Sequence, residues 1–233
     1  MSAQPLKVQL AKRWGNRSDP FTDIALTIPI VTVYHLGVVF LPVRNAADLV
    51  TDNLRSLASY SILAYTALAL GISAVLVLVC IALAKSHPFR RDRFVRVILE
   101  GALYAVLMRL VASAVVGHLA LARGESYGPF GAVIMSFGAG FYEEVAFRVG
   151  LYGLGAKLLL RVWPKRTFAV PIAWAVVSSA LFSAWHYLGP ESFQLETFVF
   201  RLTCGLVLTV IYAYRGFATA VFTHALYDVW VLV

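Results

Sequence analysis

Charge is scarce in this chain. Only 14% of its 233 residues are Asp, Glu, Lys or Arg, while 60% are hydrophobic, and the mean hydropathy is +0.77. A soluble domain rarely carries this balance. Cysteine is nearly missing as well. Cys80 and Cys204 both fall in apolar runs, which excludes a disulfide framework and leaves no cysteine-based zinc pattern. There is no internal repeat and no low-complexity tract, so the common repeat-built transporter architectures lack their signature. There is no G-x-S-x-G and no H-E-x-x-H, and neither cysteine has a neighbour that would activate it as a nucleophile.

Long apolar runs are what the chain has in quantity. They predict an all-α fold, a polytopic transmembrane helical bundle of about seven spans. The spans are expected at about 21–43, 61–84, 94–121, 130–160, 168–188, 198–214 and 217–233. Pro29 lies inside the first, and the fourth is too long for one straight crossing at about 20 residues. Residues 1–20 read as a basic N-terminal segment without the apolar core or cleavage site of a signal peptide. Residues 21–233 read as one transmembrane domain. The formal net charge of +8 fits span-flanking basic residues better than nucleic-acid binding. Lys and Arg crowd the N-terminus, 85–96, 157–166 and Arg215, whereas the alternate connections carry Arg44 and Arg55, then Arg123, then Arg201. The bias predicts a multi-pass protein of the cell (inner) membrane with its N-terminus in the cytoplasm.

One stretch breaks the apolar pattern. FYEEVAFR, residues 141–148, places Glu143, Glu144 and Arg148 inside sequence greasy enough to enter a bilayer. Ionisable groups at that depth face a cavity, each other or a substrate. Glu144 and Arg148 are four apart and can pair. Glu143 is rotated by about 100° on a helix, so one carboxylate is held and the other is available. Two later spans add His186, which follows Phe182 by four, and His224 with Asp228, one helical turn apart on one face. Arg109 in the third span reads as a structural partner for a buried carboxylate. Arg96 and Glu100 read as a snorkelling pair. His35 reads as a hydrogen-bonded structural histidine. A desolvated glutamate with nearby imidazoles suits general-base activation of water.

EEVAFR fits E-E-x-x-x-R, FSAWH fits F-x-x-x-H and HALYD fits H-x-x-x-[N/D], in that order on three separate spans. In this the chain resembles the CPBP intramembrane endopeptidases, also called the Abi or type II CAAX prenyl protease family. The resemblance covers a core at about 130–233. It implies that Glu143 activates water with help from His186, and that Glu144 and Arg148 form a supporting pair. It further implies that His224 and position 228 stabilise the oxyanion. Asp228 stands where the family often has an amide. An ionised aspartate cannot donate to an oxyanion, so the expected role of Asp228 is to orient His224, which donates alone.

The expected activity is therefore hydrolysis of a peptide bond in a membrane-associated protein or peptide, with the bilayer as the other partner and no nucleic acid. No cofactor is favoured. Zinc is the alternative, with Glu143, His186 and His224 as its ligands. A proton-coupled transporter and a non-catalytic scaffold of the same fold are the rival functions.

Overall fold

The computed structural model describes residues 20–41, 44–83, 91–117, 128–189 and 191–233. The basic segment expected at 1–20 lies outside them, apart from Pro20. Among the described residues the secondary structure is helical. In chain order the helices are α1 (Pro20–Val38), α2 (Thr51–Leu57), α3 (Ile62–Leu83), α4 (Arg91–Val116) and α5 (Gly128–Gly138). After α5 come a π-helical stretch (Ala139–Leu154), α6 (Gly155–Val162), α7 (Ala169–Trp185), α8 (Leu195–Arg215) and α9 (Phe217–Leu232).

Apart from α2, which lies in the polar connection between the first two runs, the helices fall on the apolar runs, with two further differences. The first ends at Val38 rather than 43, and the fourth run is one continuous rod of three windings. Five helices are long and apolar enough to cross a membrane by length and composition: Phe21–Val38, Ile62–Leu83, Arg93–Val116, Ala169–Leu188 and Leu195–Arg215. Phe217–Leu232, at 16 residues, is shorter. The protein is an integral membrane protein.

Burial runs against hydropathy. α3 has the highest mean hydropathy of the five, 2.7, and is the least buried, 11%. Lipid is as apolar as leucine, so nothing drives such a helix into the interior. The centre goes to α9, which carries threonine and histidine. Residues Ala218 to Ala225 are buried without interruption, against α4, α5, α8, α1 and the π-helical stretch. Small residues let it in. A Cβ on Gly140 would stand 2.6 Å from Ala225 Cβ and 2.9 Å from its backbone nitrogen.

The first and last helices are tied directly. Gly216, at φ +98°, makes the turn between α8 and α9, a conformation that L-residues with a Cβ rarely adopt. Asp23 of α1 then accepts the Phe217 N–H at 2.7 Å. It serves as a cap for α9 supplied from across the fold.

Other polar groups also find partners at a distance. Glu100 takes the Arg215 guanidinium through Nη2 at 2.6 Å to both oxygens. Arg109, expected to meet a carboxylate, lies 4.6 Å from the centroid of the Trp230 ring. In the connection after α1, burial alone would push the Asp48 carboxyl up. Hydrogen bonds from the Thr51 hydroxyl and N–H, the Tyr34 hydroxyl and the Val50 N–H hold it below the usual carboxylate range.

Gly140→Val should force α9 off the π-helical stretch and lower stability by about 1–3 kcal/mol. Thermal melting in detergent would show it, with Gly71→Val as the control, since a Cβ there meets nothing within 4 Å.

Candidate active site

The stretch that carries both carboxylates is wound more widely than its flanks. Bonding from i to i+5 broadens each turn. In an α-helix, neighbours diverge by about 100°. In Ala139–Leu154 the side chains of Tyr142, Glu143, Glu144, Phe147 and Arg148 are all buried. Trp174 of α7 steadies this segment by donating its Nε1–H to the Leu151 carbonyl at 2.7 Å.

Glu144 is fully enclosed. Its Oε1 accepts Nδ1–H of His224 at 2.8 Å and lies 3.1 Å from Arg148 Nη1. Arg148 is 1% exposed, and its guanidinium sits 4.2 Å from the centroid of the Phe182 ring. The Arg148 N–H groups point at no acceptor among the described residues. Its contact with Glu144 is thus one of charge rather than a directed hydrogen bond.

Glu143 is held by one oxygen. Oε1 accepts Nδ2–H of Asn45 at 2.8 Å. Oε2 is buried with no hydrogen-bond partner among the described residues, and stands 3.9 Å from His224 Nε2. Glu144 Oε2 is likewise buried without a hydrogen-bond partner among the described residues, so the two carboxylates differ in their partners, one between an imidazole and a guanidinium, the other on a neutral amide.

Because Glu144 takes the Nδ1–H, the His224 tautomer is set from that side. Nε2 then faces Glu143 and Asp228, whose Oδ2 is 3.5 Å away. The orienting role expected of Asp228 falls in this geometry to Glu144. The reason is positional: Asp228 is one turn along the same helix and reaches only the far ring nitrogen, whereas Glu144 approaches from the neighbouring element. His186 closes α7 and opens a 3-10 turn, His186–Leu188. Its Nδ1–H donates to the Phe182 carbonyl at 2.9 Å, and it lies within electrostatic reach of Glu143 and His224. The Phe182 ring stands between the two imidazoles, edge-on to both, with centroids 5.0 Å from His186 and 5.9 Å from His224.

Five of the six expected site residues are thus in one polar cluster, and His186 joins it across Phe182. Two participants had no weight in the sequence. Asn45 lies 98 residues before Glu143, in a loop whose only local signal is a turn-forming Asn–x–x–Asp pattern. Phe182 is legible as half of a motif, but its contact with Arg148 is not.

Among the described residues, no three of His, Cys, Asp and Glu are arranged to hold a metal ion. His224 turns one ring nitrogen to Glu144, and the other stands 3.9 Å from Glu143.

A family model described as Type II CAAX prenyl endopeptidase Rce1-like matches residues 125–230. No curated protein and no solved structure matches the chain.

Arg148→Ala strands a fully buried carboxylate without its cation. The cost should be about 3–5 kcal/mol, read as a lower melting temperature and a fall in monodisperse protein recovered in detergent.

Proposed function

We propose, on the match of residues 125–230 to the Rce1-like type II CAAX prenyl endopeptidase model, that the polar cluster beside Glu143 hydrolyses a peptide bond of a membrane-associated protein or peptide, with water as the attacking group. What carries this reading is the contrast between the two carboxylates. Each keeps one buried oxygen without a hydrogen-bond partner among the described residues, but Glu144 is paired with His224 Nδ1 and the Arg148 cation, whereas Glu143 is held by the neutral Asn45 amide and turns its second oxygen toward His224 Nε2, 3.9 Å away.

Glu143 Oε2 takes a proton from water, and the resulting hydroxide forms a C–O bond to the carbonyl carbon as the C=O electron pair moves onto oxygen. His224, in its doubly protonated form, donates Nε2–H to that oxyanion, while Glu144 holds the ring by Nδ1. Collapse of the tetrahedral species breaks the C–N bond. The proton held by Glu143, with His186 as the neighbouring carrier, goes to the leaving amine. Asp228, 3.5 Å from Nε2, balances the imidazolium. Arg148 neutralises Glu144, so that the second carboxylate does not repel the first. No step in this scheme passes through a metal.

The substrate is a segment that can reach a site lined by helices within the bilayer. The bias of basic residues puts the N-terminus in the cytoplasm and Glu143 more than half-way toward the opposite face. Reporter fusions after residues 60, 126 and 192 read that sidedness.

Glu143→Gln should abolish cleavage and leave folding and insertion intact. Comparing membrane and secreted proteomes of cells carrying the wild-type and variant proteins should show an uncut precursor; unchanged processing would end the assignment. Loss of solute flux with no protein changed in size would favour the transporter instead. Cleavage by the purified protein should survive a strong zinc chelator. Loss on chelation, with recovery on added zinc, would overturn the metal-free scheme.

A further inference from the structure

A general base must be aimed, and the donor that aims Glu143 comes from outside the family-matched residues 125–230. Among the described residues its hydrogen-bond partner is Asn45, in the connection between α1 and α2, through Nδ2–H at 2.8 Å. Asn45 is buried and fixed at two further points. Its Oδ1 accepts the Ala47 N–H at 2.9 Å, and its backbone N–H donates to the Tyr34 hydroxyl oxygen at 3.3 Å.

These contacts belong to a ring. Tyr34 donates its hydroxyl proton to Asp48 at 2.7 Å. Asp48 also receives the Thr51 hydroxyl, and Thr51 Oγ1 stands 3.4 Å from His35 Nδ1. Tyr65 meets that same nitrogen at 2.9 Å, and the Tyr142 hydroxyl meets His35 Nε2 at 2.6 Å. Tyr142 is the residue before Glu143. The polar path therefore leaves Glu143 by its side chain, through Asn45, and returns to its backbone through Tyr142. Tyr34, His35, Asn45, Asp48, Thr51 and Tyr142 are all buried, where an unpaired polar group is costly. The ring is rigid because breaking any link strands a neighbour.

The geometry points to Asn45 as the positioning residue of Glu143. It occupies Oε1, so that Oε2 is the oxygen turned to His224 and left to act as base. This rests on the reading of Glu143 as the base, but the contact itself is testable without a substrate.

The bland rival is that Asn45 only shapes its own turn. The two ends of the amide separate these roles. The turn uses Oδ1, which aspartate keeps. The Glu143 contact uses Nδ2–H, which aspartate lacks. Thermal melts in detergent should therefore be compared for wild type, Asn45→Asp, Glu143→Gln and the double variant. Asn45→Asp should melt well below wild type, because it sets a carboxylate against Glu143 in a buried place. The double variant should regain most of the loss, since the new carboxylate at 45 can accept from the new amide at 143. A silent Asn45→Asp, or no recovery in the double variant, would overturn the contact.

A second variant reads the role. Asn45→Ser keeps an acceptor for the turn but is too short to reach Glu143. It should melt below wild type by no more than the loss of one donor, and well above Asn45→Asp, yet form the product that Glu143→Gln cells lose about 10- to 100-fold more slowly, the worth of one donor to a charged acceptor. A wild-type rate would sink the positioning role. Should Glu143→Gln leave every product in place, the base reading fails and the positioning role with it, while the melts still decide the contact.

Discussion

Arg148, Glu144 and His224 form the contact on which the remainder of the site depends. Three ionisable side chains sit together at near-zero exposure in a protein whose outer surface faces lipid. Each is tolerable there because of the others: a lone buried carboxylate or guanidinium would be stranded by several kcal/mol. The trio draws two separate elements to one point, the π-helical stretch and α9. Once they meet, Glu143 has a fixed place beside the imidazole. Both adjacent carboxylates are buried where residues 139–154 pack against α9 and α7.

Much of this was legible in the chain, for identifiable reasons. Helix positions follow from runs of apolar residues, which a bilayer environment makes nearly obligatory. The carboxylates and both motif histidines stand out because each is an ionisable group in surroundings that would otherwise exclude it. Even the i,i+4 spacing of Glu144 and Arg148 carried real information, as the two approach to 3.1 Å.

What stayed hidden is long-range choice among equivalent partners. Asp228 is the nearest acid to His224 along the helix, and local spacing favours it as the orienting group. The tertiary fold supplied Glu144 instead, from 80 residues away. Arg109 repeats the lesson with Trp230. Asn45 is the extreme case, because a neutral amide in a loop has no depth penalty to draw notice. Hydropathy also misleads about depth: the greasiest helix, α3, lies outermost, and the threonine-bearing α9 lies at the centre.

The cap that Asp23 places on Phe217 bears on how the molecule divides. The segment that the Rce1-like family model matches begins at residue 125, which suggests a modular half that could be cut away and carried elsewhere. Yet α9, which bears one of the two motif histidines, starts from a carboxylate on α1. A severed C-terminal half would leave that helix with an open amide end and no anchor at its first turn. The first and last described helices are therefore tied to each other, and the family-matched segment takes a helix cap from residues outside it.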